Sequence, residues 1–372
     1  MWRSIFFVGI LSLCSLCVFA NLADTTQVAT VQTESSESTA QKKFDPVRMI
    51  FDHISDSHEW HIFSLGETHV TLPLPIIVYS RVRKEWFCFL SSRFHHGHET
   101  YNGFRLEVPE KGGPTEIQEV TASGEVLEAP FDLSLKKNVV GAIFVMVLMV
   151  WIFVSVAQRY KKAPNQAPKG LQNLLETVIV FVRDDIAKPA IRASKLNRFM
   201  PILLTIFFFI LFCNLLGLVP IIPAGANLTG NITVTMVLAL FTFVITTLSG
   251  NKHYWGHAFN TPGVPTFLKL PIPLMPIVEL SGMITKPIVL MIRLFANMLS
   301  GHMIVLVFFS MIFLFGTMNA IAAYGVSILS LIFAVFMTLL DVLVSFIQAY
   351  VFTMLSAMYF GMATEGHDEE HH

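Results

Sequence analysis

From about residue 138 onward the chain is a succession of long apolar blocks joined by short polar segments. The blocks are residues 138–157, 200–222, 232–250, 271–316 and 319–362. A helix needs about 20 apolar residues to cross the hydrocarbon core of a bilayer. Only a helix or a closed barrel satisfies its own backbone there, so each block is expected to be a membrane-crossing helix. The last two blocks are much longer than one perpendicular span requires. Helices of that length must tilt strongly, break, or lie partly along the membrane. Pro271, Pro273, Pro276 and Pro287 supply candidate breaks or kinks in the fourth block.

The first third has another pattern. Residues 1–20 hold one cation, Arg3, then an apolar run and small residues before a possible cut after Ala20, the layout of a signal peptide. Residues 21–45 are rich in Thr, Ser, Gln and Ala without apolar periodicity and read as a flexible linker. Residues 46–135 read as a small exported domain, with β-prone runs at 69–80, 85–90 and 104–108 between Gly and Pro punctuation. Between the first two spans, Leu171, Leu174, Leu175, Val178, Ile179 and Val182 recur at helical spacing. They predict an amphipathic helix over 171–187, lying on the membrane, against a partner, or simply packed. Residues 366–372 form a polar tail. The expected fold is an all-α polytopic membrane protein of about five crossings, occupying residues 138–365. Its last two helices are long and tilted, and a small N-terminal domain with probable β-strands precedes it.

Composition agrees with lipid as the main solvent: 53% of residues are hydrophobic, 14% are charged, and the mean hydropathy is +0.61. Soluble domains carry about 25% charged residues, so a water-soluble multidomain enzyme is excluded. The net charge of −1 gives no reason to expect nucleic acid. No GxxxxGK[ST] phosphate loop occurs. Cys14 and Cys17 fall within the expected signal peptide, and no pair among Cys14, Cys17, Cys88 and Cys213 has metal-site or redox spacing in a plausible mature protein. Residues 158–199 contain nine Lys and Arg and residues 223–231 none. The positive-inside rule then places 158–199 in the cytoplasm, the N-terminal domain outside, and the tail in the cytoplasm.

Five charged residues lie between positions 254 and 364: Lys269, Glu279, Lys286, Arg293 and Asp341. An Arg at mid-bilayer costs about 2.5–3.5 kcal/mol, so Arg293 calls for a partner anion or an aqueous cleft. At 100° per residue, Glu279, Lys286, Arg293 and Asn297 share one stripe of a helix. His302, nine residues beyond Arg293, falls on the opposite side. In the last block Asp341, Ser345 and Gln348 share a face. An acid, an imidazole and amides lining a cleft suit proton movement better than a bulky solute. The Phe-rich run at 207–212 is lipid-facing or helix-packing bulk.

The segment Arg293-Leu294-Phe295-Ala296-Asn297-Met298, preceded by Lys286-Pro287, and the later Gln348-Ala349-Tyr350-Val351-Phe352 resemble subunit a of the F-type ATP synthase. The resemblance covers roughly residues 138–365. It implies a proton-translocating stator subunit of the bacterial inner membrane, with partners in a c-subunit ring, the b subunits of the peripheral stalk and other synthase subunits. It implies no cofactor, no metal and no catalysis by this chain. Arg293 matches the family's essential arginine, which attracts the ionised carboxylate of a passing c subunit and keeps two aqueous half-channels from short-circuiting. Asn297 and Gln348 match polar positions near that arginine, and Glu279 matches an acidic half-channel position. A pattern common in bacteria has Glu where this chain has His302 and His where it has Asp341. The exchanged pair keeps one acid and one base in the same channel.

Two other classes compete. A secondary transporter or channel could use Arg293 as an anion site, and would be expected to show repeated halves or paired broken helices. A membrane-anchored metal-binding or assembly protein could use the His-rich N-terminal domain instead.

Overall fold

The computed structural model describes residues 46–365 apart from 66–67, 98, 108–113, 122–124, 163–166, 220–226, 260–273 and 317–319. The expected signal peptide, linker and polar tail lie outside the described residues, as do Pro271 and Pro273.

The N-terminal region opens with a helix absent from the sequence reading, α1 (Pro46–Ile54). Seven short strands follow: β1 (Glu59–Leu65), β2 (Thr68–Pro73), β3 (Pro75–Tyr79), β4 (Trp86–Leu90), β5 (Phe104–Glu107), β6 (Glu116–Glu119) and β7 (Phe131–Asp132). The antiparallel pairs are β1–β2 and β5–β6, and β3 lies between β4 and β7. Alternation sends Ile76 and Val78 of β3 inward, where they pack with Phe94, Phe104, Leu106 and Ile117 as a small core. His58 is fully buried, with Nδ1 2.8 Å from Thr115 Oγ1 and Nε2 2.8 Å from Asp132 Oδ2. Burial alone would raise the Asp132 pKa. The hydrogen bond and charge of His58, the Ser134 hydrogen bond and Lys136 outweigh it and hold the carboxyl at about 2.

This region runs directly into the first spanning helix, α2 (Lys137–Lys162). Lys137 Nζ donates to the Ser55 carbonyl at 2.9 Å, and Lys137 N–H to the Ser57 carbonyl at 3.0 Å. Asp56 Oδ1 accepts the Asn138 N–H at 3.1 Å, satisfying one of the donors that a helix start leaves unpaired.

The remaining spans are α4 (Ala193–Gly217), α5 (Ile232–Ser249), α7 (Leu274–Gly316) and α8 (Ala320–Thr364), with α3 (Leu171–Phe181) and α6 (Lys252–Phe259) between them. All five spanning helices are long and apolar enough to cross a membrane. Their core centres on α4, where Phe207, Phe208 and Phe209 are buried against neighbouring helices. The Phe-rich run is therefore packing bulk over those three residues.

Two local expectations are corrected. The amphipathic segment is α-helical only to Phe181. It winds as a π-helix over Val182–Ala187, with the Lys188 N–H returning to the Arg183 carbonyl, and regains an α turn at Lys188–Ala190. Pro189 has no N–H to offer the preceding turn, which favours the wider winding. Its end docks on α8 at Gly361, where a Cβ would collide with the Ala190 carbonyl oxygen. Of the breaks or kinks expected at prolines of the fourth block, those at Pro276 and Pro287 also do not end the helix. Pro276 falls in the first turn, where its missing N–H has no partner to lose, and Pro287 lies inside an assigned helix of 43 residues. At 1.5 Å per residue α7 is about 65 Å long, twice the ~30 Å hydrocarbon thickness, so it tilts or extends beyond the bilayer.

Candidate functional site

α7 and α8 form an antiparallel pair. Residue pairs advance along α7 as they retreat along α8: Lys286 with Tyr359, Asn297 with Gln348, Gly301 with Asp341, and Phe308 with Phe333. The seam follows the apolar periodicity of α7, in which Met283, Leu290, Leu294, Met298 and Leu306 are buried. On α8 the expected stripe is realised, with Asp341 7%, Ser345 0% and Gln348 2% exposed.

Asn297 Nδ2 donates to Gln348 Oε1 at 3.0 Å, joining two of the predicted residues across the seam. Asp341 lies against Gly301. A Cβ built there would be 2.9 Å from Asp341 Cγ and 3.1 Å from Oδ2. The acid therefore packs at the residue immediately before His302, itself half-buried. Among the described residues, Asp341 Oδ2 and Gln348 Nε2 are buried without a hydrogen-bond partner. Buried polar groups are nearly always paired, so both atoms have hydrogen-bonding capacity to spare at this point of the seam.

Two residues not picked out by the sequence, Asn214 and Thr229, adjoin this centre beside Ser345. Thr229 Oγ1 donates to Asn214 Oδ1 at 2.7 Å, Asn214 Nδ2 reaches the Ser345 backbone carbonyl at 3.4 Å, and Ser345 Oγ donates to the Asp341 backbone carbonyl at 2.7 Å. Thr229, Asn214 and Ser345 are all buried. Polar groups thus extend from the turn before α5 through α4 to the backbone of α8 at Asp341. Asn214 was discoverable, because a lone amide in a Phe-rich span stands out by the same cost reasoning that singled out Arg293.

A second polar region lies toward the other end of α7. Thr242 and Thr246 of α5, Tyr254 of α6, Lys286 of α7 and Tyr359 of α8 share a small cavity with Phe243, Met283, Pro287, Leu290 and Met362, which leave its lining mostly apolar; it is large enough for roughly one water molecule. Lys286 Nζ sits 5.6 Å from the Tyr359 ring centre. Glu279 is half-exposed and acts electrostatically on Tyr254.

Arg293 falls between the two regions. It is exposed on the outer side of α7 beside exposed Ile288, Val289 and Ile292, and its charge is felt at Tyr359. Glu279 is fourteen residues away on the same helix, about 21 Å. Gly301, which marks the level of Asp341, is eight residues away, about 12 Å. Neither acid forms a close ion pair with Arg293 at those separations. The six predicted residues therefore fall into an Asn297–Gln348 pair, an Asp341 and His302 neighbourhood, a distant Glu279, and an outward-facing Arg293. In the N-terminal region, no three His, Cys, Asp or Glu side chains come together as a metal group among the described residues.

Residues 139–361 match the family model described as ATP synthase A chain. Residues 49–137 match a domain of unknown function, DUF8433. A relative named ATP synthase subunit a, from Chloroherpeton thalassium, is 44% identical over 248 residues, covering 65% of this chain and 71% of the relative. ATP synthase subunit a 2 from Chlorobaculum tepidum is 46% identical over 253 residues, covering 65% of this chain and 66% of the relative.

Proposed function

The chain belongs to the ATP synthase A chain family, and we propose that it is the proton-translocating stator subunit of an ATP synthase, working through Arg293 and two separate polar half-channels. The observation that supports this most directly is the division of polar groups along α7. Glu279, Lys286 and the Tyr254–Tyr359 cavity lie before Arg293, and the Asp341 centre with its neighbours Ser345, Asn214 and Thr229 lies after it.

In this reading the N-terminal domain is outside and the C-terminus is in the cytoplasm, following the cation-rich segment 158–199. Water admitted beside Thr229, Asn214 and Ser345 would bring a proton from the outer side to Asp341 and His302. It passes to a carboxylate on a ring of c subunits that sweeps past the outer side of α7. The loaded carboxylate is neutral and can travel through lipid. On its return it meets Arg293, whose fixed charge favours the ionised form, so that the proton is released toward Glu279. A proton crossing 100 mV releases about 2.3 kcal/mol, so several protons drive each ATP, made by other subunits. The chain itself performs no bond chemistry. The b subunits of a peripheral stalk would hold it against rotation.

A transporter with an anion site at Arg293 is less well supported. Such sites are built from broken helices, whereas α7 and α8 run as assigned helices through this region. The test is Arg293→Ala in the assembled complex. Proton-driven ATP synthesis should be abolished while the complex still assembles, and continued synthesis would overturn the reading.

A further inference from the structure

α1 has a placement that the stator role does not use. Val47, Ile50, Phe51 and Ile54 fall within a 100° arc of this nine-residue helix. Half of that arc is satisfied, because α1 packs against the spanning helix α7 and Ile50 is buried. The other half is open, with Val47 56% and Phe51 44% exposed. The position of α1 is fixed at its other end as well. Ser55 N–H returns to the Phe51 carbonyl, and residues 55–57 are fastened to the first turn of α2 by Lys137 and Asn138.

A helix tied to the start of one membrane-crossing helix and packed on another lies at the membrane boundary. The helix to whose start it is tied has an apolar outer side, including exposed Val147 and Trp151. Short amphipathic helices at such a boundary bury their apolar side among headgroups and upper acyl chains. We infer that α1 is an interfacial helix whose Val47 and Phe51 side chains dock into the lipid leaflet at the N-terminal face of the spanning bundle. The inference requires only that α2 and α7 cross the bilayer. It holds whichever side that face is on and whether or not Arg293 acts as proposed. Lipid rather than a protein partner is the committed occupant, because α1 is tied to the first turn of α2, at the membrane boundary, and the exposed side of α2 beyond that turn is apolar.

The test uses the full chain in its assembled complex, in phosphatidylethanolamine/phosphatidylglycerol vesicles. Cys14, Cys17, Cys88 and Cys213 are replaced by Ala, and a nitroxide is attached at Val47→Cys or, separately, at Phe51→Cys. Val126→Cys, at an exposed site of the N-terminal region, serves as the aqueous reference. Collision with oxygen should exceed collision with a water-soluble nickel chelate several-fold at positions 47 and 51, and the order should reverse at 126. Nickel collision dominating at 47 and 51 would place the helix in water. Exclusion of both reagents would place it under another protein. Either result overturns the proposal, and neither depends on ATP synthesis by the labelled variants.

Discussion

Gly301→Ala tests the site through its tightest contact. Alanine is favoured over glycine inside a helix by up to about 1 kcal/mol, so the substitution should strengthen α7 if space allows. Gly282, on the same helix, has nothing within 4 Å of an added Cβ, and Gly282→Ala should show that gain alone. At Gly301 the new methyl would lie 2.9 Å from Asp341 Cγ and 3.1 Å from Oδ2, where ordinary contact begins at 3.4 Å. Either α7 and α8 separate or the carboxylate swings off its place against Gly301. Overpacking of this kind costs about 1–3 kcal/mol, enough to cancel the helix gain. If as little as about 1.4 kcal/mol of it reaches the rate-limiting proton transfer, turnover falls tenfold. The assay is proton-driven ATP synthesis in membrane vesicles, normalised to the amount of chain found in intact complex. Gly301→Ala should assemble but synthesise at no more than about a tenth of the rate of Gly282→Ala. Equal rates for the two variants would refute the placement of Asp341 against α7.

Two further outcomes follow from contacts on either side of the membrane boundary. Asn297→Ala and Gln348→Ala remove opposite ends of one hydrogen bond. Their combined effect on synthesis rate should fall short of the sum by about 0.5–1.5 kcal/mol, and strict additivity would mean that the bond does not form in the working complex. In the N-terminal region Asp132 is held at about 2, below the ordinary 3.8. A depressed acid stabilises the fold fully above its unfolded pKa and loses that contribution as pH falls through its folded one. Thermal melting of the N-terminal region, followed by tryptophan fluorescence in the full chain, should therefore show about 2 kcal/mol of stability disappearing between roughly pH 4 and 2. Asp132→Asn should flatten that slope, and an unchanged slope would remove Asp132 as its source.

The spans were legible because each is a block of apolar residues whose meaning does not depend on exact register. Arg293 and Asp341 were legible for the converse reason, since a charge in such a block must have a purpose or a partner. The stripe of Asp341, Ser345 and Gln348 followed from helical spacing and is buried as a unit. What Asp341 touches was not legible, because Gly301 presents no side chain for a pattern to register. Nor was the Thr229–Asn214 contact, which joins two elements only after the chain has turned back on itself. Pro287 does not break the helix, because packing of α7 along α8 and α5 supports it past that point, outweighing one missing backbone bond. The open side of α1 also lay beyond the pattern, as its meaning comes from the helices beside it.

The interval between the two polar regions is as telling as the regions themselves. Lys286 and Gly301 are fifteen residues apart on α7, about 22 Å. Within that interval the seam is filled by buried Leu290, Leu294 and Met298. Its polar crossing is the Asn297–Gln348 amide pair, and neither amide titrates near neutral pH. If titratable groups ran continuously along the seam, a proton could cross the membrane without moving anything, and its 2.3 kcal/mol per 100 mV would be lost as heat. In the proposed reading, an interrupted path obliges the proton to leave the chain on one side of Arg293 and return on the other. The outward exposure of Arg293 gives that detour its turning point, since a mobile carboxylate can meet the guanidinium only from outside the seam. Under the proposed mechanism, the apolar residues that separate the half-channels are therefore as necessary to coupling as the charged residues that end them.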